Sequence, residues 1–192
     1  MTPTLILASA SPRRSELLKQ LGLTHTIQIA DIDETPLTNE KPTDYVLRVA
    51  HEKSLAVHQH CAKDSLVLAA DTSVVLGGTI MGKPENLAHA LNMLSSLSGT
   101  THQVYSAVSL RGRTTQQVLS VSNVTFRTLS EQEIIDYWHT GEPADKAGAY
   151  AVQGLASIFI QSIQGSFSGI MGLPLFETAQ ILSNEGIKVF NE

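Results

Sequence analysis

The sequence predicts an α/β protein with a mixed, bent β-sheet in two lobes around a central cleft. Short apolar runs typical of strands alternate with helical patterns in the first half, and the second half is richer in strands. The chain has 192 residues, of which 42% are hydrophobic, enough for one sizeable core or two small lobes that share a cleft. Since we find no repeat and no linker, residues 1–192 are expected to form a single domain.

In the first half, capping and stop residues separate the predicted elements. Gly22 and Gly99 are placed to end helices, and Ser11 and Asn86 to begin them. In order, we predict a strand over 4–8, a helix from Pro12, a strand over 26–30, a helix over 44–62, strands over 65–70 and 74–76 that lead into a Gly77-Gly78 turn, and a helix after Asn86.

The second half begins with two long strand patterns, over 103–110 and 116–126, joined by a turn at 111–113. Ser130 and Glu133 have the spacing of a capping box, which predicts a helix that reaches about His139. The remaining predictions are strand pairs near Tyr150 and Ile158 and a last helix that opens at Leu173-Pro174 and ends at Gly186.

Composition narrows the class of protein. A formal net charge of −5 and a pI near 5.8 argue against a general nucleic-acid surface. The single Cys61 excludes an internal disulfide and fits a reducing compartment. No apolar run approaches the length of a membrane span. We therefore expect a cytoplasmic protein that binds neither nucleic acid nor membrane.

The turn after the first strand has the features of an anion site. Ser9 and Ser11 flank one small residue, Pro12 opens the helix, and Arg13 and Arg14 follow at once. A helix N-terminus with hydroxyl side chains and guanidinium groups is suited to phosphate. The alternative is an ordinary capped helix with solvated arginines.

Other charged residues occur where a core would not favour them. Asp71 is predicted at the carboxyl end of a buried strand, and Lys53 falls on the apolar stripe of a helix. Glu34 and Lys83 each follow a strand. Separately, these could be a turn cap, a snorkelling lysine and solvated loop residues. Together they suit a metal-assisted attack on a polyphosphate.

These motifs resemble the Maf family of nucleoside triphosphate pyrophosphatases, in the same order, from about residue 4 to residue 186. The resemblance rests on Ser9-Ala10-Ser11-Pro12-Arg13-Arg14, Asp33-Glu34, Glu52-Lys53, Ala70-Asp71-Thr72, Gly82-Lys83-Pro84, Asp145-Lys146-Ala147-Gly148-Ala149-Tyr150 and Gly172-Leu173-Pro174. It implies a fold similar to inosine triphosphate pyrophosphatases, cleavage between the α- and β-phosphates, a divalent metal such as Mg²⁺ or Mn²⁺, a cytoplasmic location and a homodimer.

The resemblance also implies roles for single residues. Asp71 would be the general base or a metal-bound carboxylate, and Glu34 would help hold the metal or the water; the sequence alone leaves that division open. The residues implied to bind the substrate or its phosphates are Ser9, Ser11, Arg13, Arg14, Lys53 and Lys83.

Arg13, Thr72 and Gln153 match the branch of the family that acts on dTTP and UTP, whereas the branch acting on 7-methyl-GTP carries Trp, Gln and Glu at these places. A Gln amide offers both a donor and an acceptor to a uracil or thymine edge. A nucleotide-binding regulator of cell division is the alternative from another class, because the family's name is associated with septum formation.

Overall fold

One mixed β-sheet runs through the centre of the computed structural model, which describes residues 4–62 and 64–189. The strands are β1 Leu5–Leu7, β2 Thr26–Ile27, β3 Leu66–Leu76, β4 Thr79–Met81, β5 Thr101–Arg111, β6 Thr115–Phe126 and β7 Ile160–Gln164. The helices are α1 Pro12–Gln20, α2 Pro42–His58, α3 Leu87–Leu97, α4 Glu131–His139, α5 Phe167–Met171 and α6 Leu175–Asn184. Three 3-10 turns cover Glu142–Asp145, Ala147–Ala149 and Leu155–Phe159.

The central strand β3 has an interrupted edge. The sheet order is β2-β1-β3-β5-β6-β7, and β4 also pairs with β3. On one edge, β5 runs antiparallel to β3 from Val67 to Val75. On the other edge, β1 pairs in parallel with residues 66–68 and β4 pairs antiparallel with residues 74–76. Between these two partners, no strand among the described residues pairs with that edge, and this gap opens the cleft described below.

Helices cover both faces of the sheet. Successive residues of a strand point to opposite sides, so neighbouring residues of β3 contact different helices. Leu66 and Leu68 pack with residues of α1 and α6, and further along the same face Val74 packs with residues of α3 and α4. On the opposite face, Val67 and Ala69 pack against α2. The alternation places Asp71 on the α2 face and Thr72 on the other face.

The α/β class, the mixed sheet and several local predictions are confirmed. The Asn86 side chain accepts a hydrogen bond from the backbone N–H of His89, which caps α3. Ser130 and Glu133 form both hydrogen bonds of the predicted capping box. Gly22 has a φ of +71°, as expected of a helix stop. No helix among the described residues is both long and apolar enough to span a membrane. The division into two lobes stays a prediction.

Two predictions at the start of the chain are wrong. Ser11 lies at the N-cap position of α1, but its side chain makes no capping hydrogen bond. Its backbone N–H donates instead to Ser9 Oγ at 3.2 Å. The second strand ends at Ile27 and not at residue 30, because its partner β1 ends at Leu7, directly opposite Ile27. The next helix starts at Pro42 and ends at His58.

The predicted break after residue 70 does not exist. β3 is continuous from Leu66 to Leu76, because β5 pairs along its length. Asp71 therefore lies in the middle of a strand, and the prediction that it ends one is wrong. It nevertheless lies just beyond the parallel pairing with β1, which ends at Leu68. Asp71 is therefore placed beyond the end of a parallel strand pair, as expected from the sequence, but the strand that ends there is β1 and not β3.

The strand pair predicted near Tyr150 is wrong, whereas the one near Ile158 corresponds to β7, which begins two residues later and pairs with β6. Gly148 and Ala149 have φ values of +66° and +61°, which a regular strand does not accommodate. A Cβ atom at Gly148 would lie 2.9 Å from Val74 Cγ1, so the close approach there requires glycine. Ile158 belongs to a 3-10 turn, and the strand begins only at Ile160.

We predict that the buried His102 makes stability depend on pH. Burial lowers its pKa from 6.5 to about 4, and its Nε2 lies 2.8 Å from the hydroxyl of Tyr150. The unfolded chain therefore binds the proton more readily, so stability is complete above pH 6.5 and is lost as the pH falls toward 4. By pH 5 the loss is on the order of 2 kcal/mol.

Urea unfolding of the wild type and of His102→Gln between pH 7.5 and 5 measures this effect. The variant should show a flatter pH dependence, and His60→Gln, at an exposed position, should follow the wild type. An equally steep profile in His102→Gln would assign the acid sensitivity to other groups.

Candidate active site

The gap beside β3 forms a cleft with a volume of about 620 Å³, a size typical of small-molecule sites. Asp71, Thr72 and Ser73 of β3 form its floor. The loop between β1 and α1 lies on one side, and residues 145–153 lie on the other. All ten site residues predicted from the sequence line the cleft: Ser9, Ser11, Arg13, Arg14, Glu34, Lys53, Asp71, Thr72, Lys83 and Gln153.

At the centre of the cleft, Lys53 forms two ion pairs. Its Nζ donates to Asp71 Oδ1 at 3.0 Å and to Glu34 Oε2 at 2.9 Å. Lys53 is 8% exposed and Asp71 is 6% exposed, whereas the Glu34 side chain is about half exposed. The lysine therefore does not snorkel to solvent. It joins α2, β3 and the loop after β2 through a single ammonium group.

The loop that carries Glu34 is fastened to α2 by two further side chains. Tyr45 donates its hydroxyl proton to the backbone carbonyl of Glu34 at 2.9 Å. Arg48 donates to both carboxylate oxygens of Glu40, at 2.6 and 2.8 Å, and to the carbonyl of Thr35 at 3.2 Å. These hydrogen bonds lower the pKa of Glu40 to about 2. Burial, helped by the charges of Asp71 and Glu34, raises the pKa of Tyr45 to about 12.

The two arginines of the β1–α1 loop differ in their contacts. Arg14 donates from Nε to the Gly172 carbonyl at 2.9 Å and from Nη1 to Ser9 Oγ at 3.1 Å. Burial lowers the pKa of Arg14. Arg13 lines the cleft, and no side-chain hydrogen bond or ion pair holds it within residues 4–62 and 64–189. Arg14 thus fastens the loop to the segment after α5, while the guanidinium of Arg13 is available to an anion.

Lys83 lies across the cleft in the segment after β4. The neighbouring Gly82 accepts a hydrogen bond through its carbonyl from the N–H of Gly148, at 3.0 Å. Lys83 itself is exposed and lines the cleft. This contact ties the lysine to the wall formed by residues 145–153.

The cleft has a polar end and an apolar end. Charged residues surround Asp71 and the β1–α1 loop, with Lys83 and Lys146 on the opposite wall, whereas Val74, Val152, Ile170 and Met171 pack together as apolar surface. Thr72 lies between the two ends on the floor. Its Oγ1 is 2.9 Å from Ser106 Oγ, and Ser106 donates to the Gly169 carbonyl at 2.6 Å. A polar end and an apolar end suit an amphipathic ligand with an anionic part and a flat or apolar part.

Comparison with known proteins identifies the family of this chain. The family of Maf-like proteins matches residues 4–185. The chain belongs to the Maf-like protein family. A dTTP/UTP pyrophosphatase of Methylococcus capsulatus is 54% identical to it over 184 residues, which cover 95% of this chain and 91% of the relative. A dTTP/UTP pyrophosphatase of Nitrosomonas europaea is 52% identical over 198 residues, covering 96% and 95%.

Among solved structures, the Staphylococcus aureus Ham1 protein matches this Maf-like protein with a TM-score of 0.48 and 17% sequence identity. The match covers 64% of this chain and 71% of that one.

The residues of this Maf-like protein fit a divalent metal through two carboxylates. Lys53 engages one oxygen each of Glu34 and Asp71, namely Oε2 and Oδ1, and the second oxygen of each lies outside that ion pair. Mg²⁺ is commonly held by one or two carboxylates together with substrate phosphates and water. Within the described ranges, no cluster of three or more His, Cys, Asp or Glu could hold a metal. The remaining ligands would therefore come from the substrate and from water.

Sequence reasoning missed the residues that support this site. Tyr45 and Arg48 hold the Glu34 loop, and Ser106 contacts Thr72 from the neighbouring strand. Tyr45 precedes Lys53 by eight residues, a spacing that shares a helix face, and Arg48 and Glu52 form an i,i+4 pair. Those two signals were readable in the sequence. The contact of Ser106 depends on the register of β3 with β5, which the sequence does not show.

We predict that Lys53→Met destabilises the protein by on the order of 3 kcal/mol, because it leaves the buried Asp71 carboxylate without its partner. Urea unfolding at pH 7.5 measures the free energy of unfolding. Lys83→Met, at an exposed lysine, is the matched control and should change it by less than about 0.5 kcal/mol. Adding Asp71→Leu to Lys53→Met should recover part of the loss. If Lys53→Met unfolds like the wild type, the ion pair is not formed in solution.

Proposed function

We propose that the chain is a nucleoside triphosphate pyrophosphatase that converts dTTP and UTP to the nucleoside monophosphate and pyrophosphate. The observation that carries the proposal is the buried Asp71 at the cleft floor, held by Lys53 beside Glu34. A site that only binds nucleotides does not need a carboxylate that can take a proton from water. Relatives about half identical over nearly the whole chain are dTTP/UTP pyrophosphatases.

In this proposal, the polar end of the cleft holds the triphosphate. Arg13 and Lys83 lie on opposite sides of it and bind phosphate oxygens, where their charge offsets the negative charge that develops on the leaving pyrophosphate. Ser9 and Ser11 add hydroxyl donors, and Arg14 keeps their loop in place through Ser9 and Gly172. The substrate is thereby oriented with its α,β-anhydride beside Asp71.

Asp71 acts as the general base or as a metal-bound carboxylate. As base, it accepts one proton from a water molecule whose oxygen adds to the α-phosphorus, while the bond from that phosphorus to the bridging oxygen breaks and pyrophosphate leaves with that oxygen. Lys53 donates to Asp71 Oδ1 and so fixes the orientation of the carboxylate. A divalent metal bound by Asp71 and Glu34, Mg²⁺ or Mn²⁺, would polarise the phosphate oxygens and the water.

The base occupies the apolar end. Val74 and Val152 provide surface for the ring, and Thr72 and Gln153 are the polar groups beside it. The Gln153 amide can donate to a carbonyl of uracil or thymine. A pocket that admits the thymine methyl discriminates weakly against other 5-substituents, since one methyl is worth about 1–3 kcal/mol. Modified pyrimidine triphosphates are therefore included among the proposed substrates. The homodimer and the cytoplasmic location stay predictions from the family resemblance.

Steady-state release of pyrophosphate from dTTP, UTP, CTP and 7-methyl-GTP, with Mg²⁺ and with Mn²⁺, tests the function. We expect dTTP and UTP to be the best substrates. Asp71→Asn keeps the shape of the side chain but removes its charge and basicity, so kcat should fall by about 10²-fold or more while nucleotide affinity changes much less.

Asp33→Asn is the matched control, because Asp33 is exposed and accepts a hydrogen bond from Thr35 in its own loop. Its kcat should stay within about threefold of the wild type. Tight binding of dTTP without pyrophosphate release would favour a nucleotide-binding regulator, and near-normal turnover by folded Asp71→Asn would remove Asp71 from the mechanism.

For base choice, we predict that Gln153→Glu lowers kcat/KM for dTTP and UTP by at least about tenfold, or roughly 1.4 kcal/mol. The substitution removes the amide donor and brings a carboxylate close to a base carbonyl, which is repulsive. Nucleotides whose bases offer an extra donor should lose less, so the preference among substrates should shift. Equal losses for all nucleotides would mean that Gln153 supports the fold or the phosphates.

A further inference from the structure

Ser106 is a buried polar residue beside the cleft, and nothing in the mechanism above uses it. It lies on β5 directly opposite Thr72 of β3 and is 1% exposed. Because paired residues of neighbouring strands share a face, both side chains point to the same side of the sheet. Thr72 lines the cleft, and the helix α5 covers Ser106 through Gly169.

The hydrogen bonds of Ser106 fix the direction of its proton. The hydroxyl has one proton, and it lies 2.6 Å from the carbonyl oxygen of Gly169, which can only accept. If the proton pointed elsewhere, two oxygen atoms would remain at that distance with no proton between them, which is repulsive. Ser106 therefore donates to Gly169.

It follows that Thr72 is the donor in its contact with Ser106, at 2.9 Å. Its one hydroxyl proton is then directed away from the cleft, toward Ser106. Toward a ligand, the Thr72 oxygen can only accept a hydrogen bond. The hydroxyl of Thr72 could by itself donate or accept. The hydrogen bonds from Thr72 to Ser106 and from Ser106 to Gly169 make it an acceptor toward a ligand.

The carbonyl that ends this chain is itself held firmly. The Gly169 oxygen also accepts from the N–H of Gly172 at 2.9 Å, and the Gly169 N–H donates to Ser166 Oγ at 3.0 Å. These contacts belong to the capped short helix α5. The acceptor at the end of the chain is therefore fixed by backbone structure and does not depend on a mobile side chain.

An acceptor at this position distinguishes pyrimidines by the state of their N3 atom. Uracil and thymine carry a hydrogen on N3, whereas cytosine presents a lone pair there. We propose that Ser106 is a specificity-determining positioning residue, which holds Thr72 as an acceptor for the N3–H of uracil or thymine and so disfavours cytosine. This proposal rests on the proposed function, because it presumes that the base lies beside Thr72.

The experiment compares kcat/KM for UTP and CTP in the wild type and in Ser106→Ala. Without Ser106, the Thr72 hydroxyl can rotate and donate to the N3 of cytosine, so the preference for UTP over CTP should fall by at least about tenfold. Ser109→Ala is the matched control. Ser109 lies on the same strand, is fully buried, and bonds to Ser54, so its loss should leave the preference unchanged.

A double-mutant cycle separates this role from a general structural one. Thr72→Val should lower the preference by itself, and Ser106→Ala should then change it no further. Ser106→Cys, which is slightly larger but keeps a weak donor and acceptor, should give an intermediate preference; it also serves if the alanine variant does not fold. An unchanged preference in folded Ser106→Ala, or the same change in both backgrounds, would overturn the proposal.

Binding measurements keep this test independent of turnover. Titration with the non-hydrolysable α,β-imido analogues of UTP and CTP should show the same shift in preference. A shift in binding without pyrophosphate release by the wild type would refute the pyrophosphatase function and support the role of Ser106. Release of pyrophosphate by the wild type, with no shift in preference in Ser106→Ala, would support the pyrophosphatase function and refute the role of Ser106.

Discussion

The cleft depends on the burial of one ammonium group. Lys53 lies on the face of α2 that packs against the sheet, where a lone charge would be costly. Asp71 from β3 and Glu34 from the loop after β2 compensate for it. This requirement brings three separate parts of the chain to one point. Because a buried ion pair often contributes little net stability compared with apolar packing, its presence at a cleft is better explained by chemistry than by folding.

The geometry of an extended strand separates two tasks that adjacent residues perform. Asp71 faces α2 and its lysine, whereas Thr72 faces α5 and Ser106. A fully paired central strand would hide one of these side chains from any ligand. The gap between the pairings with β1 and β4 exposes the edge of β3 at this point, so one ligand can reach both faces. The residues of the proposed hydrolysis and of the proposed base recognition are thereby close in space but have separate hydrogen-bond partners.

The sequence was sufficient for the α/β class, the order of most elements and ten of the residues that line the cleft. These follow from local signals, such as the capping box at Ser130, and from the family resemblance. It was not sufficient for the continuity of β3 through Asp71, because that depends on pairing with β5, more than thirty residues away. A tertiary contact therefore decided the continuity of β3. The Ser11 prediction failed locally: the Ser11 side chain makes no capping hydrogen bond, and Ser9 accepts from the Ser11 N–H and from Arg14.

The region from residue 145 to residue 153 shows why a strand would not serve here. A strand presents only alternate residues to one side, yet the four consecutive residues from Tyr150 to Gln153 all line the cleft. These residues follow two 3-10 turns and the positive φ values of Gly148 and Ala149, so the alternation of a strand does not apply to them. A left-handed conformation at an alanine is strained, and such strain persists where the surrounding structure enforces it, commonly at functional sites. Here the fully buried Ala149 and the contact of Gly148 with Gly82 supply that enforcement. The irregular backbone that makes the strand prediction wrong is what brings Gln153 and the segment of Lys83 to the same cleft.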